Sequence, residues 1–249
     1  MNYIDDQNPY ASPGADSALA PAAWAAEDAR RAFVQRTYLH LSGALVLFSL
    51  ILAAVFTLTP APLLQQTVGL MFGSKFGWLI VIGLLMGAQY MANAFTQAEN
   101  SVSMQYLGLG FYTVAQAAVF VPLLYVANQM DPKILPTAGV LTGVIFGGLT
   151  LLVFVTRSDF SGIGRYLWLG GLVLMGIVVA GMFFNFSLGL WFTGAAIGLA
   201  AGYILYDTSN VLHHYRTDQH VVASLALFSS VTALLWDIIV LLMKLNRRN

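Results

Sequence analysis

The chain has 249 residues, of which 58% are hydrophobic and only 9% charged, against roughly 25% charge in an ordinary soluble domain. Net charge is zero, which leaves no basic field to attract nucleic acid, and the absence of cysteine excludes disulfides and thiolate chemistry. Eight charged residues precede Thr37 and three follow Met243, so only half of the 11 basic and 11 acidic side chains serve everything between. That is too few for a water-facing surface, and the composition implies an all-α membrane protein.

Residues 1–36 are polar or alanine-rich and carry Pro9, Pro13 and Pro21. They read as a disordered cytoplasmic tail with a short amphipathic lead-in, ahead of a transmembrane domain over 37–249. The first apolar run starts near Leu39 and is too long for a cleaved signal peptide.

Runs able to cross about 30 Å of hydrocarbon at 1.5 Å per residue fall near 39–59, 77–95, 104–127, 134–156, 163–184, 187–206 and 221–243. Breakers mark the gaps: Pro60 and Pro62, the polar run Gln97 to Ser103, Asp131 with Pro132, and Arg157 to Gly162. Pro122 should kink the third span, and the Asn185–Phe186 pair leaves room only for a tight hairpin between the fifth and sixth.

Arg30, Arg31, Arg36, Arg157, Arg165 and Arg216 fall on one side of alternating spans, while Lys75 and Lys133 are the basic residues of the opposite gaps. This places the N-terminus in the cytoplasm. Seven crossings put Lys244, Arg247 and Arg248 outside, against the charge rule; the alternative is a last apolar run that re-enters without crossing.

Small residues mark close helix approach in lipid, where packing replaces the expulsion of water as the driving force. Gly194, Gly198 and Gly202 form one stripe, and Ala223, Ala226, Ser230, Ala233 and Asp237 a second. The second predicts that the last helix lies at the centre of a seven-helix bundle.

Asp237 is the only charge between Val221 and Met243, and a carboxylate at that depth is costly unless neutralised, paired or hydrated. Asp207 stands at the margin of the sixth span in "GYILYDTSN", with Asn210 and His214 following on its helical face.

The "YDTSN" at 206–210, the "LLWDIIVLLMKL" at 234–245 and the "RAFVQRTYLHLSGALVLF" at 31–48 together resemble the Bax inhibitor-1 family, the transmembrane Bax-inhibitor-motif proteins, with the feel of a bacterial member. The resemblance implies a seven-helix bundle with a central last helix, a calcium leak and a pH-sensing aspartate pair, with Asp207 and Asp237 in the matching positions. It also implies a basic latch in the second helix. No Arg or Lys occurs between Gly77 and Gln97, where Gln89 is the most polar candidate.

Two residues of an antiparallel hairpin meet when equidistant from its turn, and the midpoint of 207 and 237 is 222. The sixth helix must therefore run well past Asp207, and no Gly or Pro from Tyr203 to Asn249 stops it. A meeting of the two acids is permitted on these grounds. If they approach, they share one proton, and protons compete there with cations. Calcium takes six to eight oxygens, more than two aspartates supply, which suits transit of calcium rather than tight metal binding.

Other groups carry less. His213, His214 and His220 point to different faces, so a metal site is not expected; "SGIG" at 161–164 lacks a histidine partner for a serine hydrolase; Glu99 reads as a loop charge or an accessory cation contact. A lipid-modifying hydrolase would need a cluster of histidines and acids at one depth. No catalytic residues, enzyme activity or cofactor are expected. The expected partners are the bilayer, calcium ions and protons. The leading reading is a pH-sensitive calcium leak channel of the inner membrane; the alternative is a non-conducting regulator, for instance of a membrane-bound protease.

Overall fold

The computed structural model describes residues 21–73, 77–97, 99–184 and 187–247. Expectations that rest on residues 1–20, on Lys75, on the Asn185–Phe186 hairpin and on Arg248 fall outside the described residues. The described residues form eight α-helices, in order α1 (Glu27–Leu58), α2 (Ala61–Phe72), α3 (Gly77–Phe95), α4 (Val102–Met130), α5 (Ile134–Thr156), α6 (Gly164–Phe184), α7 (Leu190–His213) and α8 (His220–Asn246). No strand occurs among the described residues.

Among the described residues, five segments are long and apolar enough to cross a membrane: α1, α4, α5, α6 with the short turn before it, and α8. The apolar stretch of α3, Leu79–Phe95, is shorter. In α7, Asp207, Thr208, Ser209 and Asn210 dilute the apolar run. Length and composition therefore support a helical membrane bundle without establishing seven crossings.

The stretch assigned to the tail is not uniform. Glu27 and Asp28 open α1 at its positive dipole end, and ahead of it Ala22 is fully buried, its N–H donating to the Tyr215 carbonyl at 2.8 Å. Arg30 donates back to the carbonyls of Ala22 and Ala23. From Pro21 onward the lead-in is thus clamped to the α7–α8 turn.

The first inter-span gap also holds a helix. Pro60 is extended and Pro62 sits in the first turn of α2, where a missing N–H costs nothing. Prolines read as breakers are here a helix start. Pro122 lies inside α4. Arg157 ends α5 at φ 51°, a left-handed cap usually taken by glycine.

The last helix is central. It packs against α7, α1, α5 and α4, and Phe228, Leu225, Leu227 and Leu234 are wholly buried. An aromatic stack ties it to α1 and α4: Phe48 meets Phe120 edge-on at 5.1 Å and Phe228 at 5.9 Å, and Phe120 meets Trp236 at 5.2 Å. Polar links run alongside, with the Gln116 amide donating to Thr232 Oγ1 at 3.0 Å and the Tyr112 and Ser229 hydroxyls 3.2 Å apart. Such bonds hold register in a medium that offers no competing water.

The two small-residue stripes behave differently from expectation. Ala223 and Ser230 are buried and Ala226 half-buried, but Ala233 is exposed and faces a cavity. Of the glycines on α7, Gly202 is a close approach, since a Cβ there would lie 2.6 Å from Leu167 Cδ2, whereas nothing lies within 4 Å of one at Gly194 or Gly198. A close approach between two helices falls where the stripes did not mark it: a Cβ on Gly108 would meet Phe95 Cβ at 2.8 Å and the Ala92 carbonyl at 3.0 Å, pressing α4 against α3.

Candidate functional site

Helix α7 continues past Asp207 to His213, and α8 starts at His220. Side chains make the stop that no glycine or proline makes. The Tyr215 N–H bonds the Asn210 carbonyl at 2.9 Å, the Gln219 side chain accepts from the Arg216 N–H at 2.9 Å, and Arg216 pairs with Asp218 at 2.6 Å. The turn is therefore centred near residues 216–217, several residues before 222.

That shift changes the partner of Asp207. Asp207 is buried, 7% exposed, and its carboxylate accepts a hydrogen bond from the Ser230 hydroxyl. Asp237 lies two turns further along α8, about 10.5 Å along the axis from Ser230 at 1.5 Å per residue. No hydrogen bond joins the two carboxylates. The expected aspartate pair is thus not formed in this conformation, and a serine stands opposite Asp207. Between the two acidic levels, Ile204 and Leu234 are fully buried.

Asp237 instead faces open space. It lines one cavity of about 690 Å³ together with Met175, Phe192, Trp236 and Lys244, and a neighbouring one of about 270 Å³ with Gln116, Ala233 and Trp236. No ion pair within 4 Å joins it to Lys244. The Lys244 ammonium donates to the carbonyls of Leu188 at 2.7 Å and Gly189 at 3.3 Å and to Thr193 Oγ1 at 2.8 Å, tying the start of α7 to the end of α8.

The accessory residues go elsewhere. His214 Nε2 lies 3.2 Å from Asp159 in the α5–α6 loop, and the Ser209 hydroxyl donates to the same carboxylate at 3.2 Å while accepting from the Phe160 N–H at 2.8 Å. The Ser161 N–H also bonds Asp159, at 2.9 Å. These Ser161 contacts first, and His214 after them, hold the Asp159 carboxyl well below its ordinary range. His214 and Asn210 line a polar hollow with Ser161, Tyr206, Tyr215 and Gln219, to which neither Asp207 nor Ser230 contributes. Burial, and then the Asp207 charge, raise the Tyr215 phenol above its ordinary value.

Gln89 donates to Asn93 Oδ1 at 3.2 Å within α3 and leaves its own oxygen buried without a partner. It reaches neither acid. Glu99 is exposed in the turn between α3 and α4. Among the described residues no group of three or more His, Asp or Glu side chains could hold a metal ion. The residues missed in the sequence are Ser230, Asp159, Ser209 and Lys244. Ser230 was visible only as a small residue of the stripe, and Asp159 pairs across more than fifty residues of chain, beyond any local pattern.

A helical membrane bundle whose last helix is central, with a buried acid on α7 and a half-buried one on α8, defines the class of protein. The sequence profile described as "Inhibitor of apoptosis-promoting Bax1" matches residues 30–248, and the chain belongs to the Bax inhibitor-1 family. An uncharacterized protein of Neisseria meningitidis serogroup A is 26% identical over 184 residues, covering 70% of this chain and 77% of its own. Bax inhibitor 1 of Schizosaccharomyces pombe is 24% identical over 213 residues, covering 84% and 74%. Protein LIFEGUARD 4 of Arabidopsis thaliana is 24% identical over 238 residues, covering 93% and 92%.

Proposed function

We propose that the chain is a pH-sensitive cation leak of the Bax inhibitor-1 type, with calcium as the ion, in a bacterial inner membrane. The supporting observation is the arrangement of two acids in series. Asp237 faces a large cavity, and Asp207 is shut against Ser230 beyond the buried Ile204 and Leu234. A cation entering the cavity meets a carboxylate before it meets a plug. An ionised Asp207 accepts from Ser230, whereas a protonated one can also donate, so protonation alters the contact that joins α7 to α8. In this reading α3 and α7 also cross, the crossings number seven, and the N-terminus is cytoplasmic.

The test is calcium flux into proteoliposomes across a pH series, for the native chain and for Asp207→Asn. Flux that rises and falls with pH in the native chain and flattens in the variant supports the reading. Absence of flux at every pH defeats it. A second reading, a non-conducting regulator acting on a membrane protease, draws on the closed apolar layer at Ile204 and Leu234 and on the lack of any basic residue between Gly77 and Gln97. It expects no flux together with co-purification of a protease.

A further inference from the structure

The cavity beside Asp237 has a composition that a leak pathway does not require. At about 690 Å³ it has the size of a site for a drug-sized organic molecule. Its walls come from α3, α4, α6, α7 and α8, and are mostly apolar, with Met175, Met182, Leu188, Phe192 and Trp236 prominent. Methionines adapt to irregular shapes and aromatic faces attract cations.

The charge balance narrows the class further. Lys244 has three ammonium protons and three oxygen acceptors, on Leu188, Gly189 and Thr193, so it is held by the protein and is not placed to grip an anion. Asp237 has no hydrogen bond and no ion pair within 4 Å among the described residues, and Lys244 reaches it only through space. The Lys244 ammonium on the same wall is turned to its own three oxygens, so the Asp237 carboxylate oxygens stay open to direct contact with a second positive charge. An acidic amphiphile would meet like charge, and a neutral one would leave Asp237 unpaired. A bare calcium ion would find far fewer than its six to eight oxygens.

We propose that this cavity is a binding site for lipophilic organic cations, with the positive centre against Asp237 beside Trp236 and the apolar body among the methionines and Phe192. The proposal does not depend on ion conduction.

Tetraphenylphosphonium and tetraphenylborate serve as probes, since they share a shape and differ in the sign of their charge. Binding of each to the full-length chain in lipid nanodiscs is measured by equilibrium dialysis, with empty nanodiscs subtracted. Saturable binding of the phosphonium near one per chain is expected, without saturable binding of the borate. Asp237→Asn should weaken the phosphonium by about tenfold or more. Val178→Phe, which fills the cavity and leaves the acid in place, should abolish its binding. Asp207→Asn should leave it unchanged, whatever that variant does to flux. Equal binding of both probes, or undiminished phosphonium binding in Asp237→Asn, overturns the proposal. If Asp237→Asn does not yield folded protein, unchanged binding in Val178→Phe overturns it.

Discussion

Asp207 on α7 takes its hydrogen bond from Ser230 on α8, so the position opposite this buried acid holds a hydroxyl and not a second carboxylate. Removing that hydroxyl leaves a buried acceptor without its donor, which costs about 1–3 kcal/mol, and more if the group is charged. Ser230→Ala should therefore lower the thermal midpoint of the purified protein. Asp207→Asn, which leaves a polar group in the same space, should be milder. A Ser230→Ala midpoint equal to the native one would show that the contact carries no stability.

The separation of the two acids also changes what a double variant should do. Sites more than about 7–10 Å apart without shared partners act additively within roughly 0.5 kcal/mol, and Asp207 and Asp237 have different surroundings. If the chain conducts, Asp207→Asn should flatten the pH response and Asp237→Asn should change flux at every pH, with the double variant showing both effects independently. Identical single effects that do not add would mean that the acids meet in another conformation, as the expected aspartate pair requires.

The glycines offer a stability test with its own control. A methyl at Gly108 meets the Phe95 Cβ and the Ala92 carbonyl, one of them backbone that cannot swing away. Overpacking of this kind costs about 1–3 kcal/mol. Gly194 and Gly198 have nothing within 4 Å of the same methyl. Gly108→Ala should lower the thermal midpoint measurably, while Gly194→Ala and Gly198→Ala leave it within error. The opposite ranking would restore the close-approach stripe on α7.

Hydropathy located the long helices well, because an apolar run of spanning length leaves few alternatives: α5 starts and ends where its run does, at residues 134 and 156. The centrality of α8 was also legible, since alanines, serines and large apolar residues share its surface. What the sequence hid was register. A stop made by Gln219, Arg216 and Asp218 looks like ordinary polar loop in a string of letters, yet it fixes which residue of α8 faces Asp207. Likewise Pro60 and Pro62 read as an interruption because proline ends helices as readily as it opens them. The cavity beside Asp237 was invisible for a different reason. Empty space between five helices leaves no mark on any one of them.

The last prediction concerns the loop clamp beneath α7. Asp159 gathers the Ser161 N–H, the Ser209 hydroxyl and His214, and the Ser161 contacts first, then His214, depress its carboxyl below the ordinary value of 3.8. A carboxyl depressed in the folded state binds fewer protons there than in the unfolded chain. Its contribution is therefore complete above the unfolded value and is lost as pH falls through the folded one. The pair with His214 is half exposed, so that ion pair adds less than about 1 kcal/mol. Asp159→Asn should lower the thermal midpoint by a small amount that stays constant as pH drops from mildly alkaline to about 4, then narrows toward zero in stronger acid. Amide exchange at Ser161 should speed up in the variant, since a neutral amide oxygen accepts more weakly than the carboxylate, and Phe160 should follow to a lesser degree because its acceptor Ser209 is itself held by Asp159. A stability gap that fails to narrow in strong acid would show that the Asp159 carboxyl does not govern the clamp.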